Sequence, residues 1–136
     1  MRFKVGQIAE FSKTISEFDV YAFAGICGDF NPCHVNEIAA QKGIFGKRVV
    51  HGALINAFIS TVLGMYLPGE GTIYLSQNSR FLKPVFIGDT ITAKVTILEI
   101  DEKKHAKLST IVSTSDGKTV LEGEAVVLLP TGDSIA

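Results

Sequence analysis

The chain is poor in the features that assign a protein quickly. It has two cysteines, Cys27 and Cys33, in 136 residues. A chain that long, 46% hydrophobic, builds its own core, so no disulfide framework is expected. Neither sign of charge is in excess: 13 Lys and Arg against 14 Asp and Glu leave a net charge of −1. A basic face for nucleic acid or an anionic membrane is therefore not expected, and the partner has to be sought in a site. Linkers, repeats and low-complexity runs are missing too, so residues 1–136 read as a single domain. The opening MRFKVGQIAEF holds no apolar run of the secretory kind, which makes the cytoplasm the expected compartment. VVHGALINAFISTVLGMYL approaches membrane-spanning length, but His51, Asn56, Ser60 and Thr61 interrupt it, so it reads as a buried helix.

What is present changes character near Gly69 to Gly71. QIAEFSKTI alternates as a strand does. Ser16 and Asp19 form a capping pair, after which Phe18, Tyr21, Ala22 and Gly25 recur at helical spacing up to a turn at Gly28. A short helix is expected through NEIAAQK, ended by Gly43, and a long one from His51 to Leu67, stopped by Pro68 and Gly69. The long helix is apolar nearly all round, which predicts burial on every side. Gly52, Asn56, Ser60 and Gly64 form one narrow stripe along it, expected at Gly64 to admit another backbone. Strands follow at Thr72 to Leu82, Thr90 to Ile100, Ala106 to Thr114 and Thr119 to Leu129, with hairpin turns at SDGK and, more weakly, DEKK. An antiparallel sheet with one apolar face needs a cover. The long helix supplies it, giving an α+β domain.

The stretch that could carry chemistry is GDFNPCHVN, residues 28–36. Asp29 and His34 read either as solvated loop residues or as an acid–base pair, and Pro32 favours the second reading by restricting Asn31 and itself. Gly52 opens the long helix, where unpaired N–H groups suit a developing oxyanion and no side chain blocks the approach; close packing is the alternative reason for a glycine there. A metal is not expected: Cys27 and Cys33 are spaced wrongly for zinc, and Cys33 and His34 are adjacent and point apart. The cysteines then read as small apolar fillers. Ser60 lacks a nucleophile elbow and either orients water or substrate or bonds back to the preceding turn. His51 reads as a cap or packing residue and His105 as solvated, neither as the base.

YAFAGICGDFNPCHVNEIAA, VVHGALINAFIS and FLKPVFIGDTITAKV together resemble the MaoC-like (R)-specific enoyl-CoA hydratases, the hydratase 2 family, over nearly the whole chain. The resemblance implies a single hot-dog fold, an antiparallel five-stranded sheet wrapped around a long central helix, with two subunits pairing sheet edges into a homodimer. It implies that Asp29 and His34 form the catalytic dyad and that the Gly52 N–H polarises a thioester carbonyl. It also places Ser60 near the reacting groups, with Asn31 as a further substrate-binding candidate. The implied reaction is reversible syn addition of water to trans-2-enoyl-CoA, giving (3R)-3-hydroxyacyl-CoA of the kind used for polyhydroxyalkanoate. No cofactor is implied, coenzyme A being part of the substrate, and Lys47, Arg48, Arg80 and Lys83 are candidates for its phosphates or else solvated surface. Two residues depart from the pattern: Cys33 replaces an aliphatic residue, and Asn56 places an amide where a small apolar side chain is expected, as a candidate for shaping the acyl pocket. Asp29, to act as a base, should have partly apolar surroundings, with Phe30 contributing. An acyl-thioester hydrolase, a 3-hydroxyacyl-carrier-protein dehydratase and a non-catalytic acyl-CoA-binding domain remain as alternatives on the same fold.

Overall fold

The computed structural model describes residues 2–131. Strand β1 (Ile8–Thr14) leads into helix α1 (Glu17–Cys27), the short helices α2 (Pro32–Val35) and α3 (Glu37–Gln41), and the long helix α4 (Gly52–Met65). Strands β2 (Ile73–Phe81), β3 (Thr90–Ile100), β4 (His105–Thr114) and β5 (Thr119–Leu128) complete the chain. The strands form one antiparallel sheet in the order β1-β3-β4-β5-β2, so β1 and β2 are its edges. Helix α4 lies against the sheet, with its closest approaches to β1, β2, β3 and β4. This is the hot-dog arrangement expected of the α+β domain.

The alternation read from β3 is the alternation observed: Ile91, Ala93, Val95 and Ile97 are fully buried and face Ile59, Val62 and Leu63 of α4 within one core. In β5 both Val120 and Leu121 are buried, because an irregularity against β4 between Val112 and Ser113 breaks the simple period there. The turn at residues 86–89 is tied by the Asp89 carboxylate, which accepts from Phe86 N at 2.9 Å, and by Gly88 at φ +97°. Its neighbour Val85 accepts from Val50 N at 2.7 Å, which fixes the approach to α4.

Two expectations about helix faces need correcting. On α1 the buried residues are Val20 and Ala24, while Phe18, Tyr21, Gly25 and Cys27 are exposed. Apolar residues occur all round this helix, so periodicity could not choose the face. Cys27 is therefore no core filler. On α4 the burial is one-sided: Ala53, Ala57, Ser60, Gly64 and Met65 are exposed in the single chain. No atom lies within 4 Å of a Cβ built at Gly64, so the close backbone expected there does not come from this chain.

The capping pair at α1 is present in full: Asp19 N donates to Ser16 Oγ at 3.1 Å and Ser16 N to Asp19 Oδ2 at 2.9 Å, with Lys13 Nζ at 3.1 Å from the same oxygen. Partial burial raises the Asp19 carboxyl, but the Ser16 and Lys13 contacts outweigh it and hold the carboxyl below its ordinary value. A folded-state value below the unfolded one means that the stabilisation is present at neutral pH and is lost as pH falls through the carboxylate range. Ser16→Ala is expected to cost about 1 kcal/mol in urea unfolding at pH 7. Near pH 3 the native and variant proteins should differ by less.

Candidate active site

GDFNPCHVN does not stay a loop. Pro32 occupies the first turn of α2, where its missing N–H is no loss, and Asn31 caps it by accepting from Cys33 N at 3.2 Å. Asn31 N in turn donates to Asp29 Oδ1 at 3.1 Å. The segment from Asp29 to His34 is thus fixed by its own hydrogen bonds. Asn31 is exposed, its side-chain oxygen occupied by the cap.

His34 is anchored from the other side. Its Nδ1 lies 2.7 Å from the carbonyl of Val49, and Cys33 O accepts from Val49 N at 3.0 Å. A carbonyl can only accept, so Nδ1 carries the hydrogen and Nε2 is the free position of the neutral ring. That Nε2 lies 3.9 Å from Asp29 Oδ2. The gap is too long for a direct hydrogen bond, yet a single water oxygen could reach both atoms at about 2.8 Å. The His34 side chain is 12% exposed and that of Asp29 51% exposed, so within one chain the carboxylate lacks the apolar surroundings expected for it, and Phe30 beside it is also exposed.

His51, read from sequence as a cap or packing residue, belongs to this constellation. It precedes α4 but makes no side-chain cap bond. Its ring is stacked on that of His34, centroids 3.8 Å apart at 24°, and meets Phe23 edge-on at 4.9 Å. His51 Nε2 lies 3.0 Å from the main-chain oxygen of Asp29, so that nitrogen carries the hydrogen. The residue is 2% exposed, and Nδ1 is buried without a partner among the described residues. Leaving it so costs about 1–3 kcal/mol. No local sequence signal marked His51, because its neighbours in space come from α1 and the Asp29 segment.

Asp29, His34 and His51 bring potential ligand atoms within 4.8 Å of one another. One nitrogen of each histidine is bonded to a main-chain carbonyl, which leaves each neutral ring a single lone pair.

Beside His34 opens a cavity of about 400 Å³, lined mainly by apolar side chains such as Phe45, Val50, Ile55 and Val85, and by Gly52. Gly52 and Ala53 donate their N–H groups to no acceptor among the described residues, as the first turn of a helix leaves them. A Cβ at Gly52 would come within 3.0 Å of the Phe81 ring, so close packing against Phe81 is itself a reason for glycine at this position. Ser60 lies on the exposed side of α4, about 12 Å of helix rise beyond Gly52, and does not line the cavity. Nor does Asn56, whose Oδ1 accepts from Ser79 Oγ at 2.6 Å and ties α4 to β2.

The candidate coenzyme cations separate cleanly. Lys83 lines the cavity. Arg48 does not: its Nη1 lies 2.6 Å from Glu17 and 2.9 Å from Tyr21 Oη, and Tyr21 Oη donates to Val35 O at 2.6 Å, clamping α1 and α2 to the segment before α4. Lys47 covers the Phe86 ring at 4.3 Å, and Arg80 lies exposed, 4.0 Å from Glu122. Cys33, which also lines the cavity, has its thiol pushed up by burial and by the Asp29 charge.

Comparison with known proteins finds close relatives in sequence and in fold. Residues 3–119 match the family model described as MaoC like domain. An (R)-specific enoyl-CoA hydratase of Rhodospirillum rubrum is 51% identical over 128 residues, covering 93% of this chain and 88% of that protein. The solved structure of the Aeromonas caviae (R)-hydratase, described as involved in PHA biosynthesis, superposes with a TM-score of 0.92 at 43% identity, covering 94% of this chain and 98% of that one. An unliganded R-hydratase of Pseudomonas aeruginosa superposes with a TM-score of 0.91 at 40% identity, covering 94% and 83%.

Proposed function

The chain belongs to the family of MaoC-like domains, and from that premise we propose that it is an (R)-specific enoyl-CoA hydratase, adding water reversibly and syn to trans-2-enoyl-CoA to give (3R)-3-hydroxyacyl-CoA. The observation that carries the reading is the placement of Asp29 Oδ2 and His34 Nε2, 3.9 Å apart, beside an apolar cavity that also holds the open amide of Gly52.

Hydration of an enoyl thioester needs a base for water, an acid for the α-carbon and a donor for the oxygen that becomes enolate-like between them. Asp29 accepts a proton from a water that His34 also holds, the water oxygen bonds to the β-carbon, and the electrons of the double bond move toward the thioester oxygen. The Gly52 N–H meets that oxygen. Return of a proton to the α-carbon from the same dyad, on the same face, completes a syn addition. No cofactor enters this scheme. Lys83 is the cavity residue placed for a coenzyme phosphate.

We further propose a homodimer. Among the described residues the outer edge of β2 has no neighbouring strand and presents Ile73, Tyr74 and Leu75 to solvent, and α4 leaves Ala53, Ala57, Ser60 and Gly64 exposed. A cytoplasmic setting goes with a coenzyme A thioester as substrate, and polyhydroxyalkanoate precursor supply is one use of the (3R) product. No helix among the described residues is long and apolar enough to cross a membrane.

The test is consumption of crotonyl-CoA and longer enoyl-CoAs, followed by loss of the conjugated absorbance, with chiral analysis of the alcohol. Formation of (3R)-hydroxyacyl-CoA without free thiol is expected. Release of thiol would establish a hydrolase instead, turnover restricted to acyl-carrier-protein substrates would establish a dehydratase, and binding without turnover a passive acyl-CoA domain.

A further inference from the structure

We infer that His51 is a positioning residue that sets the separation of Asp29 and His34. The inference rests on the hydratase reading of that site, and His51 itself touches no reacting atom in it.

Two contacts of one buried ring converge on the dyad. Nε2–H donates to the Asp29 main-chain oxygen at 3.0 Å, which fixes the backbone from which the carboxylate hangs. The ring face lies against His34 at 3.8 Å, which fixes the plane of the imidazole. Phe23, edge-on at 4.9 Å, restrains any tilt of the His51 ring. Asp29 and His34 are therefore referred to the same rigid body at the start of α4, next to the Gly52 amide.

The unpartnered Nδ1 says why this residue is not simply an aromatic filler. A phenylalanine would keep the stacking on His34 and Phe23 and remove the orphaned nitrogen, while leaving the main-chain oxygen of Asp29 without its donor. What histidine adds is the Nε2–H bond to Asp29, and the orphaned nitrogen on the other side of the ring accompanies it. His51→Phe thus separates stability from activity.

The experiment compares native protein, His51→Phe and His51→Gln, whose Nε2 can reach the same carbonyl. For His51→Phe, kcat for crotonyl-CoA is expected to fall by about tenfold to a hundredfold, with KM within about threefold and a melting temperature close to native, since removing the orphaned nitrogen offsets the lost bond. His51→Gln should retain a higher kcat than His51→Phe. Equal kcat in native and His51→Phe protein, a loss confined to KM, or a glutamine variant no better than phenylalanine overturns the inference. Native protein inert toward enoyl-CoA defeats the hydratase reading instead. If neither variant folds, the imidazole 15N spectrum of the native protein decides: His51 should carry its hydrogen on Nε2 and His34 on Nδ1. The opposite tautomer at His51 would leave Asp29 unbonded and overturn the assignment.

Discussion

Asp29→Asn is expected to lower turnover of trans-2-enoyl-CoA by about a hundredfold to ten-thousandfold while leaving the melting curve in place. The substitution is isosteric, and the asparagine oxygen can still accept from Asn31 N as Asp29 Oδ1 does at 3.1 Å. Only the capacity to take a proton from water is removed. His34→Ala should show a loss of the same order but with some destabilisation, because it also strips the Val49 carbonyl of its 2.7 Å partner and uncovers the His51 ring. Two groups that act on one water are not independent. The double variant should consequently be little slower than the worse single variant, whereas losses that multiply would mean that the two side chains serve separate steps. Near-native kcat in a folded Asp29→Asn protein would remove the base from the mechanism altogether.

The second large effect is on stability and comes from a residue that does not line the cavity. Gly123 in β5 lies opposite Ser79 of β2 on one side and Thr110 of β4 on the other. A Cβ there would sit 1.9 Å from the main-chain oxygen of Asn78 and 3.0 Å from Ser79 Cα. These are backbone atoms and cannot rotate away, so β2 and β5 must part. Gly123→Ala is expected to cost about 3 kcal/mol or more, a fall in melting temperature of roughly 10 °C. The disturbance would reach α4 through the polar bridge in which Gln77 Nε2 donates to Ser79 Oγ at 3.0 Å and to Thr110 Oγ1 at 2.9 Å, and Ser79 donates to Asn56. Calorimetry showing an unchanged transition would refute this account of the β2–β5 approach.

Much of the fold was legible because its signals are local. The period-two alternation of β3 and the Ser16 and Asp19 cap each depend on a few neighbouring residues and appear where expected, while the long helix ends at Met65, two residues short of the expected Leu67. The pairing of Asp29 with His34 was legible for a similar reason. One proline and one asparagine cap hold both groups on a segment too short to rearrange. The exposed face of α1 was not legible, since apolar residues on all sides of a helix carry no direction. The open side of α4 was misjudged for the opposite reason: small apolar residues such as Ala53, Ala57 and Gly64 read as buried, although no element of this chain covers them.

The antiparallel strands, the long helix, and a carboxylate and an imidazole on a stiffened segment follow from residue order alone, because periodicity, capping and proline act over a few residues. It takes the folded chain to bring His51 to them, to engage Arg48 with Glu17 and Tyr21, to keep Ser60 out of the cavity, and to leave no room for a side chain at Gly123. Each of those outcomes depends on which distant residue the folded chain brings within a few ångströms, and sequence spacing carries no measure of that distance.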